Sequence, residues 1–202
     1  MRKIRIIEHI SLDGVIQGPG GPEEDTSGGF KYGGWSAPHD DPEGGEAIVA
    51  AHSEAFDLLL GRRTYDIWSG FWPKAPKSPM ADSINAATKY VATHRPESLE
   101  WGPVGDLGGD ILEGIRGLKS SDGPDLIVCG STTLTSVLFE QGLVDEVVLC
   151  VYPVLLGRGK RFFSDSADPR ELAFVSTKAT PTGVLLNNYR HVGSLQTQPL
   201  PT

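Results

Sequence analysis

Twice in this chain an apolar run stops at a glycine and a helix-like pattern begins. The first junction is Leu58-Leu59-Leu60-Gly61-Arg62-Arg63-Thr64-Tyr65, and the second is Asp125-Leu126-Ile127-Val128-Cys129-Gly130-Ser131-Thr132. Continuous apolar runs of this length suit strands covered on both faces, as in sheets wrapped by helices. Parallel strands need crossover connections, so the pattern confines the chain to an α/β architecture. It also sets two helix N-termini at the carboxyl edge of a sheet. Such ends present unpaired N–H groups and partial positive charge, and open α/β sheets bind ligands at that edge. Arg62 and Arg63 narrow the anion at the first junction to a phosphate, which guanidinium groups grip in bidentate fashion. Alone, the octapeptide reads equally well as a strand-turn-helix with solvated arginines. Gly130, Ser131 and Thr132 are small enough for a diphosphate to reach backbone N–H groups, though many α/β turns look alike.

The remaining elements fit that frame. Residues 3 to 12 alternate as a strand, with Ile4, Ile6 and Ile10 on one side and Ile7 and His9 on the other. Ser11-Leu12-Asp13-Gly14 follows as a turn in which Asp13 bonds the backbone ahead. The spacing predicts helices over 46–56, 110–119 (with Asp110 as N-cap) and from Ser131 or Thr132 to Gly142. Lys89–Thr93 reads as a strand ending at His94-Arg95-Pro96, and Val147–Leu156 as a buried strand interrupted by Pro153. Leu172–Lys178 and Val184–Val192 form a final hairpin. The expected fold is a central mixed sheet, mostly parallel, flanked by helices, with an antiparallel C-terminal edge. It occupies one domain, residues 1–193, and a polar tail from Ser194 frays.

Residues 17 to 45 form a long glycine-rich loop carrying Phe30, Tyr32 and Trp35. Long loops in compact domains are usually functional or disordered, and spaced aromatics favour function. Trp35 is a candidate for stacking on a flat substrate, or an anchor for the loop. Asp40 either reaches a pocket or caps the next helix. Arg158, in the basic turn Gly157–Arg161, either meets a substrate phosphate or lies in solvent.

Charge and cysteines bound the partners. The formal net charge is −8, which argues against nucleic acid or an anionic membrane. Cys129 and Cys150 lie in apolar runs without metal-ligand spacing, as buried thiols of a reducing compartment. Met1-Arg2-Lys3-Ile4 begins no apolar signal segment, and no run reaches membrane-spanning length. These features read as a cytoplasmic protein acting on a small molecule, with no metal.

Taken in order, Ser11-Leu12-Asp13-Gly14, Leu59–Tyr65, Lys89-Tyr90-Val91, Cys129-Gly130-Ser131, Gly142–Glu146 and Pro153–Phe163 resemble the dihydrofolate-reductase-like superfamily. Within it they are most similar to the riboflavin-biosynthesis reductase branch. The resemblance implies the mixed sheet above and NADPH as cofactor. It assigns the adenosine-side phosphates to Gly61, Arg62, Arg63 and Thr64. Thr93, His94 and Arg95 would lie by the adenine and 2′-phosphate, and Gly130, Ser131 and Thr132 by the diphosphate. Val15 and Ile16 would border the nicotinamide. The activity implied is reduction of a small carbonyl, imine or heterocyclic compound, similar to 5-amino-6-(5-phosphoribosylamino)uracil reductase. A non-catalytic NADP(H)-binding module on the same fold is the alternative. Asp13 is the candidate proton donor, against its plainer reading as a turn former. Relatives form homodimers, so a homodimer is expected. No acidic residue aligns with the pterin-binding carboxylate of dihydrofolate reductase, and the zinc motif of the deaminase half is missing.

Overall fold

Ile4–Ser11 (β1) is the strand around which the sheet is assembled. Both of its faces are covered, since Ile4, Ile6 and Ile7 are all buried. The computed structural model describes residues 1–52, 55–163 and 167–197. Within them the other strands are Phe56–Gly61 (β2), Lys89–Ala92 (β3), Val104–Gly105 (β4), Asp125–Val128 (β5), Glu146–Tyr152 (β6), Arg170–Ala179 (β7) and Leu185–Ser194 (β8). They lie in the order β4-β3-β2-β5-β1-β6-β8-β7. β1 to β6 pair in parallel; β8 joins β6, and β7 joins β8, antiparallel. This is the expected mixed sheet with its antiparallel C-terminal edge.

Five helices cover the two faces: Pro42–His52 (α1), Arg62–Phe71 (α2), Pro79–Ala86 (α3), Ile111–Ser120 (α4) and Thr132–Glu140 (α5). Ile4, Ile6 and Ile10 pack with Ile115 of α4 and Leu134 and Leu138 of α5. On the other face Ile7, Leu58 and Leu60 pack with Tyr65 of α2 and Ile84 of α3. Cys150 and Tyr152 extend that second face beneath Ala47 and Ile48 of α1. Asp110 caps α4 as its sequence implies, accepting N–H bonds from Leu112 and Glu113 at 3.0 and 3.1 Å.

Several boundaries differ from the expectation. The helix expected over 46–56 runs from Pro42 to His52, because the Asp41 carboxylate takes the Gly44 N–H at 2.8 Å and starts it earlier. Phe56 belongs to β2, where it pairs with Asp125 and is buried. α2 opens at Arg62, directly behind Gly61. β6 ends at Tyr152, just before Pro153. β4 is two residues long, too short to show any period in sequence. Ser194 ends β8 and Leu195 still bonds Pro169, so the expected tail begins later, and residues 198–202 lie outside the described residues.

A buried ion pair ties the first strand to its neighbours. The Arg2 guanidinium donates to Asp57 at the start of β2 and to the carbonyl of Pro124 ahead of β5. The other Asp57 oxygen accepts the Thr88 N–H at 3.0 Å. Removing one partner of a buried pair strands the other charge, at a cost of about 3 kcal/mol or more. Asp57→Ala should lower unfolding stability by that order in urea titrations, and Asp57→Asn by less. A loss under about 1 kcal/mol for Asp57→Ala would mean water reaches Arg2 freely.

Candidate active site

Topology locates the site. β1 leaves through α1 toward β2, on one side of it; β5 leaves through α5 toward β6, on the other. α1 and α5 cover opposite faces. The chain therefore parts at the carboxyl ends of β5 and β1, and a crevice at such a switch point is where open α/β sheets hold ligands. Its rim is made by Ser11–Gly14 after β1, Cys129–Thr132 after β5, and Gly61 at the end of β2.

The two glycine turns are stitched to each other. Gly130 and Ser131 both take left-handed backbone, each with φ of 56°. For serine that costs about 1–2 kcal/mol. Its hydroxyl oxygen accepts the Gly61 N–H at 2.9 Å. The same hydroxyl shares its proton between Thr64 Oγ1 at 3.0 Å and the Cys129 carbonyl at 3.1 Å. The Ser131 N–H donates to Thr64 Oγ1 at 3.2 Å. Ser131 thus occupies the N-cap position of α5 without capping it by its side chain. A Cβ on Gly61 would sit 3.2 Å from Ser131 Oγ, and one on Gly130 3.1 Å from Thr64 Oγ1. The glycines let the turns approach, and the N-termini of α2 and α5 end side by side.

Arg62, Arg63 and the Thr93–Arg95 turn meet at the same edge. Arg62 donates to Asp66 at 2.8 Å, to Ser98 Oγ at 2.6 Å and to the Arg95 carbonyl at 3.4 Å. Arg63 is 59% exposed and donates to Asp25 at 2.8 Å. Asp25 also receives Lys160 at 2.5 Å, which straps the long loop over this edge. Burial pushes the Asp25 carboxyl up, but bonds from Lys160 and Ser27 prevail and bring it down to about 2.

The other sequence candidates are held differently from their expected roles. Asp13 accepts the Ser11 hydroxyl at 2.6 Å and the N–H groups of Leu156 and Gly157 at 3.1 and 2.7 Å. The Ser11 bond leads in holding its pKa at about 2, so at neutral pH Asp13 is an ionised acceptor with no proton to give. Val15 and Ile16 are buried, and their N–H groups are already taken, by the Ser11 hydroxyl and the Lys160 carbonyl, each at 2.9 Å. Trp35 is also buried; its Nε1 donates to the Gln17 carbonyl at 2.8 Å, which makes it a loop anchor. Asp40 is exposed. Arg158 is exposed at a recess of about 330 Å³ between the loop and its own turn, with Gln17, Phe30 and Lys160.

Two side chains at the crevice escaped the sequence reading, Glu8 and His9. Glu8 is buried, accepts the N–H groups of Gly130 and His9, and leaves Oε2 without a partner among the described residues. Burial raises its pKa to about 8. His9 is half-buried, with Nδ1 2.7 Å from the Tyr152 hydroxyl; burial, then His52, lowers its pKa to about 4. Adjacent polar residues inside an otherwise apolar central strand were the available signal.

Sheet order, switch-point crevice and paired turns define a protein of the dihydrofolate-reductase-like α/β class. Within that class the chain belongs to the RibD C-terminal domain family, whose model matches residues 2–186. The family places it among the oxidoreductases. It is 27% identical over 188 residues to the uncharacterized protein YyaP of Bacillus subtilis (strain 168), covering 91% of this chain and 92% of that one. A putative riboflavin biosynthesis protein from Shewanella sp. PV-4 superposes with a TM-score of 0.63 at 20% identity, over 94% of this chain and 99% of that one. Dihydrofolate reductase from Enterococcus faecalis, solved with NADP(H) and RAB-propyl, superposes at 0.57 with 16% identity, over 96% and 97%. At these identities the superpositions show the fold.

Glu8 generates a pH test. Its folded pKa, about 8, exceeds its ordinary 4.5. Its contribution to stability is therefore full below pH 4.5 and is lost as pH rises to about 8, on the order of 5 kcal/mol in all. Glu8→Gln does not titrate. Measured against the parent protein, its relative melting temperature should climb between pH 5 and pH 8. A constant difference across that range would show that Glu8 is not held protonated.

Proposed function

We propose that this protein is an NADPH-dependent reductase of a small carbonyl, imine or heterocyclic compound. The observation that carries the reading is the Ser131 stitch, which sets two helix N-termini and two arginines along one edge of the crevice. That arrangement fits a dinucleotide. Arg62, beside the Arg95 turn, would take the 2′-phosphate, with Thr93 and His94 bordering the adenine. Arg63 and Thr64 would take the adjoining phosphate at the α2 N-terminus, with Arg63 released from Asp25. Backbone N–H groups of Gly130, Ser131 and Thr132 would hold the diphosphate from the other turn. The backbone of Val15 and Ile16 would border the nicotinamide end. When bound, the reduced nicotinamide supplies a hydride; the protein supplies orientation and a proton.

The substrate would enter on the α1 face, under the loop that carries Trp35. Arg158 and the recess beside it would suit an anionic substituent. We also propose that a second copy of the chain covers the outer strands. Phe174, Val175 and Val192 are 62%, 62% and 55% exposed there, an apolar surface unusual for a monomer. Among the described residues no helix is long and apolar enough to cross a membrane.

The cofactor assignment is tested by Arg62→Ala combined with Arg63→Ala. Charge-assisted bonds contribute about 1.5–3 kcal/mol each, so NADPH binding followed by fluorescence should weaken about 100-fold or more. NADH, which lacks the 2′-phosphate, should lose less, only the share that Arg63 contributes. Equal losses would refute the NADPH assignment. Binding without oxidation of NADPH across ketone, quinone and cyclic imine probes would make the protein a sensor.

A further inference from the structure

His9 is a polar side chain near the carboxyl end of the crevice's middle strand, on the α1 face that it shares with Arg5 and Ser11. Side chains alternate along a strand, so His9 shares its face with Ile7, opposite Ile6 and Ile10. β6 runs beside β1 in parallel, and Ser11 is paired with Tyr152 at its end. The Tyr152 hydroxyl lies 2.7 Å from His9 Nδ1. Tyr152 is buried, with Trp35 and His39 edge-on at centroid distances of 5.3 and 6.0 Å. The loop therefore wedges the phenol against the imidazole. Nδ1 is taken by Tyr152, which leaves Nε2 without a hydrogen-bond partner among the described residues.

Each hydride delivered to a substrate must be matched by one proton. Asp13 is clamped by Ser11 and two backbone N–H groups. Asp41 is engaged by the Gly44 N–H and the Thr182 hydroxyl. Asp40 is exposed at the end of the turn that carries His39. Burial keeps the His9 ring neutral and the Tyr152 phenol protonated. A neutral imidazole carries one N–H and one lone pair, so it passes a proton through without gaining charge.

Building on the reductase reading above, we propose that His9 gives the substrate its proton from Nε2 while recovering one at Nδ1 from Tyr152. As hydride adds to the substrate carbon, the π pair of the carbon–heteroatom double bond moves onto the heteroatom. The heteroatom bonds the Nε2 proton, and the electrons of that N–H bond stay on the ring. Nδ1 takes the proton of the Tyr152 hydroxyl as that oxygen draws one from water, which leaves as hydroxide, so no buried phenolate accumulates. The hydride comes from the reduced nicotinamide, which is thereby oxidised.

The first test needs no substrate. Nitrogen-15 NMR of histidine-labelled protein should show His9 as the Nε2–H tautomer in the parent protein, and a tautomer mixture in Tyr152→Phe. The Nδ1–H tautomer in the parent protein would overturn the proposal. The second test measures NADPH binding and oxidation with 9,10-phenanthrenequinone and cyclic imines as probes. His9→Gln should bind NADPH within threefold of the parent protein and oxidise it about 100-fold more slowly. Tyr152→Phe should be about 10-fold slower, which keeps the test decisive should His9→Gln misfold. Parent-like rates in both variants, with NADPH binding intact, would overturn the role of His9 and leave the reductase reading standing. NADPH binding without oxidation by the parent protein would overturn both.

Discussion

The hydroxyl of Ser131 decides how the two halves of the crevice edge meet. It takes the Gly61 N–H and donates toward Thr64 and Cys129, reaching across about 70 residues of chain. Each such bond contributes about 1 kcal/mol net, enough together to offset the left-handed backbone that serine must adopt. The strain and its compensation sit in one residue. Any turn that relaxed Ser131 to ordinary backbone would swing the α5 N-terminus away from that of α2. The positive edge would then be two separate helix ends, each weak alone.

The long loop is held by polar groups at the points where it meets this edge. Asp25 lies between Arg63 and Lys160, and the Gln17 side chain accepts the Lys160 N–H while donating to the carbonyls of Asp25 and Ser27. Asp13 performs the equivalent task for the turn at Leu156 and Gly157. Apolar anchoring comes from Phe30 and Trp35, both buried against Tyr152 and its neighbours. Arg63 already has a carboxylate partner in Asp25, so the loop is tied to the first turn of α2 through that guanidinium.

The fold was readable because buried parallel strands leave unbroken apolar runs, as at Leu58–Leu60 and Leu126–Val128. Both glycine turns were readable for the same reason, since each interrupts such a run. The use of Ser131 and Thr64 was not, because their hydroxyls bond one another across the sequence, where no local pattern forms. Asp13 shows the opposite limit. An Asp-Gly turn former and a proton donor share one sequence signature, and two of the three bonds that separate them come from Leu156 and Gly157, far along the chain. α1 starts early because Asp41 caps through Gly44 inside a glycine pair that reads as loop. His9 passed as an ordinary member of an alternating strand, since its partner Tyr152 closes a strand far along the chain.

Glu8 and His9 are neighbours on one strand, so they point to opposite faces of the same sheet. Burial drives both toward their uncharged forms, Glu8 to the protonated acid and His9 to the neutral ring. The end of β1 therefore contributes almost no charge to the crevice at neutral pH, although it carries two titratable groups. What remains there is the positive end of two helices and the arginines at 62, 63 and 95. A chain with a formal net charge of −8 thus keeps a locally positive edge, because the acids nearest to it are either protonated or already paired. Glu8 accepts the Gly130 N–H, and its burial keeps the acid uncharged at neutral pH, so it leaves that positive edge unopposed.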